Sequence, residues 1–506
     1  MRKRCYLCVC NIYSKRQISS ILLSLPLYNI IFAIRNSQFA ILVQDSKLIE
    51  ALKSLQAREL TAFLEYVFSD YINKHQQIRT LALYLSRFAP EYEHAHKLSK
   101  EAIYEQVYPQ MPYDDAALHS LFSKLLRLLY EFMSQRQWEA ERWTQEVYLL
   151  QQLRQRQITD KHQTTPLRHL RQIEQAEEKS PSSEQTLWHW GKYLFHREMD
   201  AAFIAGGGRT YDSHLQDKNN HLDSLYFIEK LKIACDMLSR NVVTQAQYEP
   251  TFLAPLLDFL ERSPLSPIAQ LPAVQVYRCI LSTVQQPEKI EFYWELKGLL
   301  LRHYMRFSKD EAMNMYGYAL NYCIRKINGG NTSFYQETWE HYQLLVETKI
   351  IYINGYLPHW EYKQIVTTAL RLGKNEWAQQ FVEQYRHDLE PALQANAYGY
   401  NLATIHYANK NYRAALLALH NVEFADTTYQ LGSRLLQVKA YYELHEADAL
   451  RSLIEAFLVY VRRSKDISDY RKDANTNFLR LTRKLLQLKE HSRFQTLHKS
   501  KLQEKL

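Results

Sequence analysis

From Lys47 to Arg136 apolar side chains return every three or four positions. Leu48, Leu52 and Leu55 mark one stripe, Leu60, Phe63, Leu64, Val67 and Phe68 the next, and Leu81, Leu85 and Phe88 a third. That spacing gathers the apolar residues on one side of a 3.6-residue helix. Pro90 closes the third stripe, since it cannot donate to the next turn. Ser99 is placed to cap a short helix, Lys100 to Val107, that stops at Tyr108-Pro109. Pro112-Tyr113-Asp114-Asp115 then opens a long helix carrying Leu118, Leu121, Phe122, Leu125, Leu128, Leu129 and Phe132. It is expected to run past Trp138 and Trp143 toward Leu153.

The pattern lapses after that helix. Residues 158–165 are polar, and Lys179-Ser-Pro-Ser-Ser-Glu184 has linker composition, so 158–185 reads as a linker region. From Trp188 helical patterning resumes and holds nearly to the C-terminus. Breaks are expected at Gly206-Gly-Gly208, Ser263-Pro264 with Pro267 and Pro272, Asn328-Gly-Gly330, Asn354-Gly355 and Glu390-Pro391. The domain layout is therefore an extension at 1–45, a helical module at 46–157, the linker region, and a helical array at 186–506 with basic C-terminal helices.

The last third repeats. Tyr407 aligns on Tyr442 at an offset of 35, and Gly373 and Ala378 stand 37 residues before Lys410 and Ala415. The clearest copy is Tyr400-Asn-Leu-Ala-Thr-Ile-His-Tyr407, then Asn411-Tyr412, then Ala415-Leu416. In the next copy Leu450 stands where the crossing alanine belongs. A period near 34 with small residues at the helix crossing resembles the tetratricopeptide repeat, TPR, over residues 365–460. Asn321-Tyr-Cys-Ile-Arg-Lys-Ile-Asn-Gly329, Asn354-Gly-Tyr-Leu357 and Ala440-Tyr-Tyr-Glu-Leu444 are similar to an uncharacterised bacterial family of TPR-like helical-repeat proteins. The similarity covers most of residues 46–490. It implies an all-α fold, a TPR-like right-handed α-solenoid behind an N-terminal helical module, and it brings no activity.

Composition agrees with helices. Twelve glycines in 506 residues are too few for a fold with many tight turns at positive φ, for Gly-rich phosphate loops or for a doubly wound sheet. The formal charge of +9 is uneven: residues 1–45 carry +5 and residues 462–506 carry +8, leaving −4 on the body. A nucleic-acid-binding body would show a basic stripe, so nucleic acid is not the expected partner.

The N-terminus has a basic start and an apolar run, Ile21 to Ile34, broken by Pro26 and Asn29. The run is too short to cross a membrane, and no small residues mark a cleavage site, so integral insertion is not expected. A dispensable extension or mis-assigned start is the first reading, with an interfacial anchor second. Cys5, Cys8 and Cys10 form half a zinc pattern with no second pair nearby. Cys235, Cys279 and Cys323 are isolated, as small buried hydrophobes of a reducing, cytoplasmic compartment would be.

Chemistry is sparse. The chain has no G-x-S-x-G, no P-loop and no H-E-x-x-H, and His94 and His96 are spaced to diverge on a helix. No enzyme activity, cofactor or metal is expected. Lys100 to Pro109 followed by Ala116 to Phe132 resembles the middle of a winged helix, which makes a DNA-associated regulator using 46–135 the alternative function. The thin outward set, Asp115, His119, Ser120, Ser123, Lys124 and Arg127, argues against it.

The preferred function is a scaffold or adaptor that binds a protein or peptide partner on the concave face. In TPR proteins the first helix of each pair lines that face, which selects Tyr400, Asn401, Thr404 and Tyr407, then Leu435, Leu436, Lys439 and Tyr442. Asn401 matches the asparagine that holds a ligand backbone in peptide-binding TPRs, and it is expected to be exposed. Gly432 and Leu436 replace the basic residues of the family's carboxylate clamp.

Overall fold

The computed structural model describes residues 46–490, apart from 94–95, 159–161, 180–183, 245–246, 421, 423–426, 465–466 and 468. The 1–45 extension, the N-terminal cysteines, His94 and the Ser/Pro segment around Ser180 lie outside the described residues. Among those described there are twenty-one α-helices and no β-strand, only an isolated bridge between Ile353 and Tyr356. The chain divides into two compact units at Gln145–Glu146, inside the helix Arg142–Gln155 and ahead of residue 157.

The first unit contains α1 (Lys47–Lys53), α2 (Ala57–Phe68), α3 (Gln76–Ser86), α4 (Lys100–Val107) and α5 (Asp115–Ala140). Helix α5 touches all four of the others and is the axis of the unit. It buries Leu118, Leu121, Leu125, Leu128, Leu129 and Phe132, the residues its 3–4 spacing puts on one side. Phe132 packs on Phe63 and Tyr66 of α2 at 5.5 and 5.6 Å between ring centres. The predicted caps are in place: Ser99 accepts from the Ala102 amide and Asp114 from those of Ala116 and Ala117. The long helix does not run to Leu153. It stops at Glu141, whose amide returns to the Trp138 carbonyl, and α6 (Arg142–Gln155) starts afresh with the Gln145 side chain on that same carbonyl.

The second unit continues with α7 (Thr164–Lys179), α8 (Gln185–Ala205), α9 (Ser213–Thr244), α10 (Leu253–Arg262), α11 (Pro272–Gln285), α12 (Glu291–His303), α13 (Lys309–Asn328) and α14 (Phe334–Glu347). After these come α15 (His359–Arg371), α16 (Asn375–Gln384), α17 (Pro391–Ala408), α18 (Tyr412–His420), α19 (Thr427–Glu443), α20 (Ala447–Arg463) and α21 (Asp469–Glu490). Helix α7 lies within the stretch whose polar composition reads as linker, and it buries Pro166 and Leu170. From α15 onward each helix packs on the next, and α15, α17 and α19 also touch in that order. Ala369, Ala378, Ala403, Ala415 and Ala440 are fully buried, as is Leu450 at the position where an alanine is expected.

The turns between these pairs share one construction. The Gly373 amide donates to the Leu370 carbonyl and Lys374 to Ala369; Lys410 donates to Tyr407 and Asn411 to His406; His445 donates to Tyr442 and Glu446 to Tyr441. Each turn is a Schellman motif with its pivotal residue left-handed, at φ +72° for Gly373, +62° for Lys410 and +60° for His445. Gly207 and Gly330 repeat the pattern, and so does Gln157.

Candidate functional site

Helices α15, α17 and α19 carry the residues selected from the sequence. On α17, Tyr400, Thr404 and Tyr407 share a face at i, i+4 and i+7, as Leu435, Lys439 and Tyr442 do on α19. The neighbouring α15 contributes Lys363, whose ammonium stands 4.9 Å from the Tyr400 ring centre and 5.1 Å from that of Tyr429. The two tyrosine rings meet edge to face at 5.0 Å, and the Tyr429 hydroxyl donates to the His359 carbonyl at 2.7 Å.

Exposure differs from expectation at the central position. Asn401 is 1% exposed: its Nδ2 donates to the Ala397 carbonyl at 2.8 Å, while its Oδ1 is buried and unmatched. The reason is the helix pitch, which turns position 401 about 100° away from Tyr400 and into the packing between helices. Tyr400 is also buried, and Leu436 with it. Thr404, Tyr407, Leu435 and Tyr442 are half-buried, with the Thr404 hydroxyl donating to the Tyr400 carbonyl at 2.9 Å. Lys439 is the exposed member. Crowding by surrounding protein, and then the Arg371 charge, hold its ammonium below the ordinary lysine range. Burial pushes the Tyr400 and Tyr407 phenols up.

A second cluster lies on the α8–α9 hairpin and was missed in the sequence. His189 and His196 are seven apart on α8, and His214 and His221 seven apart on α9. Across the antiparallel pair, His189 Nδ1 meets His221 Nδ1 at 2.9 Å and His196 Nδ1 meets His214 Nδ1 at 3.0 Å. The His196 and His221 rings stack at 5.4 Å. Asp217, one turn on from His214, places Oδ2 3.8 Å from His196 Nδ1. Burial holds His189, His196 and His221 at about 4, with neighbouring cations adding to the depression. Ion pairs flank the histidines: Lys192 with Glu174 and Lys218 with Asp200, each at 2.5 Å, and Arg154 on both carboxylate oxygens of Glu198. The legible signal was H-x6-H twice, on either side of a Gly-rich loop.

A third polar group sits in the core between α12, α13 and α14. The Tyr293 hydroxyl donates to Glu337 at 3.0 Å, lies 3.0 Å from His341 Nε2 and accepts from the Cys323 thiol at 3.4 Å. Lys297 bridges Glu337 and Glu340 at 2.6 Å each. Its histidine, tyrosine and cysteine are buried, so this network joins the three helices from inside the core. Comparison with protein-family models, with curated proteins and with solved structures returns no match.

Proposed function

We propose that this chain is a helical-repeat scaffold whose second unit forms a TPR-like right-handed solenoid and holds an acidic protein or peptide segment against α15, α17 and α19. The observation that carries the reading is the three-fold recurrence of one helix–turn–helix construction, with Schellman turns at Gly373, Lys410 and His445 and contacts between alternate helices. Helix pairs of this kind bury their apolar faces only by stacking, and the stack offers an elongated face for an extended or helical ligand.

The chemistry of that face favours a carboxylate. Arg371 and Lys439 are both exposed, on α15 and α19, and they raise each other's local potential. Tyr407 and Tyr442, at the same repeat position, supply half-buried aromatic area at low entropy cost. Asn401 is a packing residue in this reading, since its side chain is enclosed. The buried, unpaired Cys235, Cys279 and Cys323 fit a cytoplasmic setting, and the resemblance noted in the sequence would make the source bacterial.

DNA binding through 46–135 has less support. Asp115, at the start of α5, is paired with Lys100 at 2.8 Å, and Arg127 with Glu131 at 3.4 Å, so few cations on this helix are left for phosphates. The test of the scaffold is fluorescence anisotropy with short labelled peptides ending in Asp/Glu-rich carboxy termini, compared with the same peptides amidated and neutralised. Arg371→Glu with Lys439→Glu should weaken binding at least about tenfold, or 1.4 kcal/mol, with helicity unchanged. Unaltered affinity in that variant would remove this face from consideration.

A further inference from the structure

We propose that the α8–α9 hairpin binds one divalent transition-metal ion of the zinc type through His196, His214 and Asp217. The donor set is two imidazole nitrogens and one carboxylate oxygen, a combination that suits borderline first-row ions and disfavours calcium and magnesium. Ligand atoms from the three side chains lie within 4.8 Å of one another. Around a tetrahedral ion with bonds of about 2.0–2.1 Å, ligand atoms stand roughly 3.4 Å apart. The His196–His214 edge is 3.0 Å and the His196–Asp217 edge 3.8 Å, so one opens and the other closes by a few tenths of an ångström.

His196 and His214 face through Nδ1 at 3.0 Å, a hydrogen bond in which the pair shares one proton, and Asp217 Oδ2 at 3.8 Å is beyond hydrogen-bond reach of His196. An ion replaces the shared proton and draws the carboxylate in. Local charge points the same way. Lys192 is paired with Glu174 and Lys218 with Asp200, so both cations are engaged by carboxylates other than Asp217. Asp212 adds to this: one of its oxygens accepts from the His214 amide and the other is buried and unmatched.

The ring orientations are already set. His221 stacks on His196 with 20° between planes, and Phe195 meets His196 and His214 edge-on at 5.0 and 6.0 Å. His221 is in turn held by His189 at 2.9 Å, so both act as positioning residues for His196. Three protein ligands leave one coordination position open, the arrangement of an ion that can accept a water or a partner's side chain.

The experiment uses the full chain, freed of metal with a chelator and titrated with cobalt(II) chloride while visible absorbance is followed, then challenged with zinc. One equivalent of cobalt giving visible d–d bands that zinc abolishes is the expected result. His214→Ala and Asp217→Asn should each weaken cobalt binding at least about tenfold, while His169→Ala, outside the triangle, should leave it unchanged. Should His214→Ala fail to fold, Asp217→Asn keeps the side chain's shape and carries the test alone. Absence of saturation at one equivalent, or unchanged binding in Asp217→Asn, would overturn the assignment.

Discussion

A Cβ on Gly432 would stand 2.7 Å from the Tyr400 hydroxyl and 3.1 Å from two atoms of its ring. Gly432 is the third residue after Tyr429, inside α19, where glycine is a poor helix former. Its place there is explained by the buried phenol of the neighbouring helix, which also lies under the Lys363 ammonium. The aromatic joint between α17 and α19 therefore depends on a missing side chain.

Gly432→Ala should accordingly destabilise the second unit by about 1–3 kcal/mol, the usual cost of overpacking, despite the gain in helix propensity. Tyr400→Phe removes the atom at 2.7 Å and should recover part of the loss. A double-mutant cycle read by urea unfolding checks both statements; additive effects would mean the two residues do not interact.

Lys410→Gly and His445→Gly should each raise stability by up to about 1 kcal/mol, because a left-handed backbone strains any residue with a Cβ. The gain is partly offset by the freer unfolded chain that glycine allows. Thermal unfolding of the two single variants measures it, and a fall in both melting temperatures would contradict the turn geometry.

Stability should decline as pH falls from about 6.5 to about 4, in part through His341. Burial, then the Lys297 charge, hold this 3%-exposed imidazole at about 4, facing Tyr293, Tyr316 and Glu340. Between those two pH values the unfolded chain binds a proton that the folded chain refuses, so acid favours unfolding. The contribution is complete above about 6.5 and amounts to roughly 3 kcal/mol. His341→Gln should flatten the pH profile in that window, and an identical slope in variant and parent would refute the assignment.

Asn401→Leu should change stability by less than about 1 kcal/mol or raise it, since the substitution removes a buried, unmatched oxygen along with one local hydrogen bond. Affinity for an acidic peptide should be untouched. A loss of binding with the fold intact would return Asn401 to the ligand surface.

What the sequence disclosed was the part governed by local rules. Ser99 and Asp114 announce helix starts through side-chain oxygens, and Pro272 marks one through its fixed φ. The exposure of Asn401 was not legible, because position within a helix is local whereas burial depends on which helix comes to lie beside it. Low glycine content also misled in one respect. Among the described residues, left-handed turns fall on Gln157, Lys410 and His445 as well as on glycines, so a shortage of glycine did not mean a shortage of such turns. The histidine cluster escaped notice because each H-x6-H is unremarkable until two helices are set antiparallel.

The same two imidazole pairs fix the alignment of the hairpin. His189 meets His221 and His196 meets His214, so seven steps forward on α8 match seven steps back on α9. One residue inserted between the two histidines of either helix would turn one of them by about 100° relative to the other and part at least one pair. An insertion in the loop at residues 206–212 leaves both pairs in register. Length variation is therefore tolerated in the loop, and between the paired histidines it is admissible only as matched changes on both arms.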